Sequence, residues 1–341
     1  MNAAIMEQSV ENLLALRHLD RMTDDRGVFE HAEGTSARRE HGYCTDDNAR
    51  LLIVATHAHQ SPVSSRLAHV ALEFVLESQD AHGRTANRMN VDGDWTDEPS
   101  TNDCWGRSLW GLGVLAARHP DARLRRRAHR GFDRGVRCRS SHLRAMAFAT
   151  VGAVEVINAH PDHEASRVLA GDFLDHLDAP VSDSWRWPEP HLRYANATLA
   201  DAAIGAAAAL GRTHDLEQGL YMLSWLLEQE STDGHLSVTG VGDHGPDSIR
   251  PLFDQQPIEV AAVADACVRA ARVTADPSWW RGVRMAEEWL LGNNDAGLPM
   301  IDPSSGGGYD GLSVSSVNTN QGAESTMAAT TIMQLARMQP R

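Results

Sequence analysis

Apolar positions in this chain fall into two kinds of helical stretch that alternate from one end to the other. The first kind is apolar on one face only. Met6, Val10, Leu13 and Leu14 recur at helical spacing over 3–20, as do Leu216, Leu220, Leu223 and Leu227 over 215–229. The second kind is small and apolar nearly all round, as in RSLWGLGVLAA, LADAAIGAAAAL and VAAVADACVRAA. A helix apolar on every side is buried, and small residues let its neighbours come close. Twelve helices are predicted, at about 3–20, 46–58, 63–79, 103–118, 121–136, 141–158, 164–177, 196–210, 215–229, 259–273, 278–291 and 322–338. Six buried helices alternating with six half-exposed ones describe an inner ring inside an outer ring. The expected fold is all-α, a single closed (α/α)6 barrel over 1–341. An open solenoid of helical hairpins is the rival, but it would expose one face of every inner helix.

Outer-to-inner links are long in five of the six hairpins (21–45, 80–102, 178–195, 230–257 and 292–321), whereas 137–140 is short. Inner-to-outer links are a few residues. Long unstructured links in a compact domain are usually binding loops. These five gather at one end of the ring, over the N-termini of the inner helices.

The 341 residues are 42% hydrophobic and 23% charged, which suits a globular protein with ample core. No run of about 18 apolar residues could span a membrane. The start, MNAAIMEQSVENLL, lacks a secretory pattern, and Cys44, Cys104, Cys138 and Cys267 are scattered; reduced thiols in cytoplasm are expected. A net charge of −15 argues against nucleic acid or anionic membrane as partner. Every basic residue is Arg. Schiff-base, pyridoxal-lysine and Walker-lysine chemistry are thereby excluded. No cofactor is expected, and His41 with Cys44 lacks two further ligands for a metal. The run Arg123–Arg144 reads as a solvated helix face, with binding of a polyanionic glycan or sugar phosphate as the minority reading.

The stretch HGYCTDDNAR offers His41, Tyr43 and two adjacent acids, Asp46 and Asp47, behind Thr45 as N-cap. Aligning the starts of the inner helices gives a sixfold register: Arg50, Arg107, Arg144, Thr198, Glu259 and Glu324 occupy one position. Buried charges must be paired, so Arg50, Arg107, Arg144, Glu259 and Glu324 are expected to form a structural charge ring. Upstream of it lie Asp46, Asp103, Tyr194, Gln255 and Asn320, then Asp47, Gln256 and Gln321, polar groups suited to the floor of a cavity for a polyhydroxylated ligand.

TDDNAR, NDCWGR, WRWPEPHLRYANAT, FDQQPIE and NTNQGAEST on alternating hairpins resemble the six-hairpin glycosidase-like (α/α)6 proteins. More narrowly, the chain resembles a bacterial carbohydrate-active family often associated with glycosyltransferases. The resemblance implies a glycoside-cleaving cleft at the loop-rich end, an oligosaccharide substrate and a glycosyltransferase association. That family's pattern has an acidic residue before Asn196, where this chain has Ala195.

Glycoside hydrolysis needs two carboxyl groups with separated pKa values. Glu189, between Pro188 and Pro190 and beside Trp185 and Trp187, is the expected general acid, raised by desolvation. Asp46, Asp47 and Asp103, at helix starts, are expected to stay ionised and serve as base or nucleophile. Trp105, Trp185, Trp187, His191, Arg193, Tyr194, Asn196 and Asp254 are candidates for holding the sugar, with His41, Tyr43, Gln255, Gln256, Asn320 and Gln321. Acids in separate sectors favour inversion. Two alternatives stand: an epimerase or isomerase using His41, His142 or His191, and a non-catalytic glycan-binding partner of a glycosyltransferase.

Overall fold

Small residues decide how closely the helices meet. A Cβ on Gly113 would run into the Gly152 carbonyl, and one on Gly152 into the Leu109 carbonyl, so the second and third buried helices touch backbone to backbone. The computed structural model describes residues 14–340. Helix α1 covers 14–21; Met6, Val10 and Leu13, used to predict it, lie outside the described residues. Then follow α2 (Thr45–His57), α3 (Pro62–Glu77), α4 (Asp103–Arg118), α5 (Ala122–Gly135), α6 (Leu143–Ala159) and α7 (Glu164–His176). The remainder are α8 (Ala197–Leu210), α9 (Thr213–Gln229), α10 (Pro257–Thr274), α11 (Trp280–Leu290) and α12 (Ala323–Ala336).

The even-numbered helices form the inner ring. Each packs on the next, α2 on α4 through α10 on α12, and α12 returns to α2. That closure excludes the solenoid: the fold is an all-α (α/α)6 barrel. Outer helices α3, α5, α7, α9 and α11 each pack on the inner helix before them. Local signals match this course. Ser61 and Ser64 form a reciprocal cap around Pro62 at the start of α3, and Gly211 ends α8 in the left-handed conformation.

The long links carry four two-stranded antiparallel pairs: β1 (Ala32–Glu33) with β2 (Ser36–Ala37), β3 (Tyr43–Cys44) with β4 (Arg88–Met89), β5 (Ser231–Thr232) with β6 (His235–Leu236), and β7 (Gly311–Leu312) with β8 (Val317–Asn318). The pair β3–β4 stitches the first link to the second. Bridges Leu192–His244 and Gln255–Leu312 stitch the fourth to the fifth and the fifth to the sixth. The loop-rich mouth is therefore braced by backbone pairing. Among the described residues, no helix is long and apolar enough to cross a membrane.

Candidate active site

Three guanidinium groups define the floor of the mouth. Arg50 lies 2.6 Å from both Asp47 Oδ1 and Glu324 Oε2, joining the first and last inner helices. Arg107 Cζ sits 3.9 Å from the centre of the Phe148 ring, with Nε 3.4 Å from Asp46 Oδ1. Arg144 donates to Glu189 Oε1 (2.6 Å), the Tyr194 carbonyl (2.6 Å) and Asn196 Oδ1 (3.0 Å). Of the expected charge ring, one pair forms, Arg50 with Glu324; Arg107 and Arg144 take Asp46 and Glu189 instead. Glu259 departs from it. Its carboxyl accepts from the backbone N–H of Ala195 (2.6 Å) and of Asn196 (3.4 Å), with Arg144 acting on it only at longer range. Ala195 has φ +47°, a conformation costly for a residue with a Cβ. Glu259 thus holds the strained turn that turns Tyr194 outward.

Helix-start acids do not all behave as expected. Cys44, not Thr45, is the N-cap of α2, its sulfur accepting from the Asp47 N–H, and Thr45 is the first helical residue. Asp47 is buried beneath this cap, and burial pushes its carboxyl up to about 6 against the pull of Arg50. Glu259 is pushed up to about 7 by burial, and Glu230 to about 8 by burial and by Glu259.

The setting that made Glu189 the desolvated acid is also different, because Arg144 grips it. Its flanking tryptophans face inward. Trp185 donates to the Glu189 carbonyl (2.8 Å) and meets Trp225 of α9 edge-on; Trp187 stacks on Trp225 and is fully buried. Neither offers a face to a sugar. Trp105 is likewise core, donating to the Gly135 carbonyl, and buried Tyr43 stacks on Phe29 and donates to Asp24. Gln255 bridges Trp289 and Asp295. Gln321 joins Ser305 and Asp302, and Asn320 accepts from the Gly34 N–H. Asn196 Oδ1 accepts from Arg144 and the Arg193 N–H, while its Nδ2 is buried without a partner. All four brace loops. His191 packs against Gly245, Arg193 is exposed beside Asp243, and Gln256 is half-buried at the start of α10.

What remains open is a set of carboxyl oxygens. Among the described residues, Asp46 Oδ1, Glu189 Oε2 and Asp254 Oδ1 are buried atoms without a hydrogen-bond partner. Asp254 is raised above the usual carboxylate range, by burial and then by the charge of Asp310. It lies against Gly311, where a Cβ would come within 2.5 Å of Oδ2. Asp310 accepts from the Gly322 N–H at the head of α12, one turn from Glu324 and hence from Arg50. Across the mouth, Tyr194 donates its hydroxyl to Asp103 Oδ2 (2.7 Å), and burial with that bond holds the phenol well above its ordinary value.

Two features escaped the sequence. His31 and His41 meet Nδ1 to Nδ1 at 3.0 Å across the first link, a pairing ten residues apart that only the β1–β2 turn creates. Asp310 sat unread in a glycine-rich loop. Glu30, Cys44 and Asp47 bring three ligand atoms within 4.8 Å. Arg88 and Arg50 already neutralise the two acids, and burial keeps the thiol protonated, so this group fits a metal poorly. Below the arginines an axial cavity of about 50 Å³ is lined by Trp110, Phe148, Ile258, Met327 and Asp265. That is room for a few waters.

No protein-family model matches the chain, and no curated protein matches it. Solved structures match along its whole length. Cellobiose 2-epimerase from Bacillus thermoamylovorans superposes with TM-score 0.74 at 10% identity, covering 99% of this chain and 100% of that one. The fold is that of the six-hairpin glycosidase-like barrels. D-mannose isomerase shares it (TM-score 0.70, 10% identity, 97% of each chain). So does an inactive variant of the α-1,6-mannanase of Salegentibacter sp., with two consecutive aspartates replaced by alanine, in complex with α-1,6-mannotetrose (TM-score 0.66, 11% identity, 98% and 99%).

Proposed function

We propose that this protein is a glycoside hydrolase acting on an oligosaccharide, with Asp254 as general acid and Asp46 as general base. The observation that carries the reading is the contrast between these two carboxyls. Asp254 has no guanidinium partner, a free oxygen and a raised pKa, the environment of an acid that keeps its proton. Asp46 Oδ1 carries no hydrogen bond and has only the Arg107 guanidinium beside it, Nε at 3.4 Å. Asp46 also belongs to an adjacent aspartate pair, as do the two residues replaced in the inactive mannanase.

In the reaction, Asp254 gives its proton to the glycosidic oxygen as that bond breaks. Asp46 takes a proton from the water whose oxygen bonds to the anomeric carbon. Proton exchange with solvent resets both groups. Arg107, Arg144–Glu189 and the Asp103–Tyr194 pair line the same mouth and are assigned to sugar hydroxyls. Asp46 and Asp254 stand at the heads of α2 and α10, in separate sectors, which favours a gap of roughly 6.5–9.5 Å and inversion.

The epimerase reading rests on the neighbours that are epimerases and on the His31–His41 pair. A two-base epimerisation needs groups on opposite faces of one carbon. Imidazoles 3.0 Å apart leave no space for that carbon.

The test is a panel of purified α- and β-linked oligosaccharides followed by NMR of the products. New reducing ends of inverted configuration are expected, and Asp254→Asn should lower kcat about 10²–10⁴-fold. Isomerised sugar without new reducing ends establishes the epimerase instead, and binding without turnover establishes the glycan-binding partner.

A further inference from the structure

On the outer ring, away from the carboxyls of the mouth, three side chains from two helices converge without an arginine between them. His129 and Asp133 are one turn apart on α5, and His163 is the N-cap of α7. Asp133 Oδ2 lies 3.0 Å from His129 Nδ1, and Oδ1 lies 3.0 Å from His163 Nε2. Both ion-pair partners of Asp133 are imidazoles. We propose that His129, Asp133 and His163 form a binding site for a borderline divalent transition metal, Zn²⁺ above all, that clamps α5 to α7.

The geometry fits such an ion. One ligand atom from each residue lies within 4.8 Å of the others. Donors held about 2.0–2.1 Å from a tetrahedral zinc stand roughly 3.3 Å apart, so small rotations suffice. Two residues at i and i+4 on one helix face, with a third from a neighbouring element, make a chelate that ordinary rotamers reach. His163 carries its own orienting partner: Ser166 Oγ lies 2.8 Å from Nδ1. Without metal, Nδ1 accepts the Ser166 N–H as the α7 cap; a metal on Nε2 moves the ring proton to Nδ1, where that hydroxyl accepts it in place of the cap. The His160 ring stands 5.6 Å from that of His129, and it or a water would complete four-coordination. Two imidazoles and one carboxylate select zinc, nickel or cobalt over magnesium or calcium. His129 and Asp133 are part-exposed, which gives the ion a way in. The Glu30–Cys44–Asp47 group of the mouth is the competitor within the same chain.

The tag-free full chain, titrated with Zn²⁺ in a calorimeter, should bind one ion at micromolar Kd, and its melting temperature should rise, with no response to Mg²⁺. His129→Gln, which leaves the α7 cap intact, and Asp133→Asn should each weaken binding at least about tenfold. Co²⁺ should give tetrahedral ligand-field bands without a thiolate charge-transfer band. Unchanged affinity in both variants overturns the assignment, as does a thiolate band that Cys44→Ser removes.

Discussion

Two charge networks occupy this barrel, and they differ in what is left over. At the mouth each arginine holds a carboxyl by one side; Glu189 Oε2 and Asp254 Oδ1 keep no protein partner, and Asp46 Oδ1 has only its ion pair with Arg107. Deeper in the ring, Glu155 of α6 accepts from Arg118 (2.6 Å) and faces Arg269, which also grips Asp201 of α8. No oxygen of Glu155 or Asp201 is orphaned among the described residues. The deep network closes on itself, while the mouth leaves valences for a ligand. Similar residue types on the same helices therefore serve the fold at one level and, under the proposed function, a reaction at the other.

The largest effect should come from removing a spare valence. Asp46→Asn keeps the acceptor for Asn87 Nδ2 but cannot serve as base, so kcat should fall about 10²–10⁴-fold with an unchanged melting curve. A loss of stability with intact specific activity would place Asp46 with the deep network and erase the contrast.

Arg269→Met probes the other side. The methionine keeps much of the apolar stem that lies on Gly205, but Asp201 is left buried without its guanidinium. Breaking a buried pair costs about 3–5 kcal/mol, readable as a shift in the urea midpoint. Turnover per folded molecule should survive. A shift under about 1 kcal/mol would mean that the deep carboxyls are hydrated.

How much of this was legible follows from where each signal resides. Alternation of all-round and one-sided helices, and the lopsided loop lengths, are local properties, and both the barrel and its mouth were read from them. The Arg50–Glu324 contact was legible because burial demands a partner and the register offered one. The tryptophans of WRWPEPH misled, since a loop Trp between polar residues reads as exposed until Trp225, on the next outer helix, supplies its stacking partner. Glu189 fell with them: its environment is Arg144, 45 residues away. Asp254 read only as a sugar contact because its distinguishing neighbours, Gly311 and Asp310, lie in another loop. The deep network did have a signal that went unused. Glu155, Asp201 and Arg269 are lone charges inside otherwise apolar helices, and such charges announce partners.

Acid–base titration separates the two levels further. Burial raises Asp47 to about 6, Glu259 to about 7, and Glu230 and Asp265 to about 8. A folded-state pKa above the unfolded one means that the native state keeps a proton which the unfolded chain has released. That stabilisation is complete below the unfolded value and is lost as pH rises through the folded one. Asp302, lowered to about 2 by hydrogen bonds from Ser304, Gln321 and Ser305, acts in the opposite sense on the acid side. Stability should therefore peak at about pH 4, near the unfolded carboxylate values, and fall from there to about pH 8. Glu259→Gln should flatten the middle of that limb and Asp265→Asn its upper part. A flat profile in denaturant midpoint from pH 5 to 9 would remove both from the account.

Tyr194→Phe should have the smallest effect and the most discriminating one. The phenol is 43% exposed, so few packing contacts depend on its hydroxyl, and its bond to Asp103 is a single contact at the rim. A net hydrogen bond of this kind stabilises a fold by about 0.5–1.5 kcal/mol at most, and the melting temperature should move little. If Asp103 and Tyr194 meet the sugar together, the loss appears as a KM raised several-fold with kcat nearly constant, the signature of uniform binding. A fall in kcat at constant KM would instead move Asp103 into the chemistry and take the base role from Asp46. No change in either constant would place the pair outside the substrate's reach, leaving Arg107 and Arg144 as the remaining hydroxyl contacts of that sector.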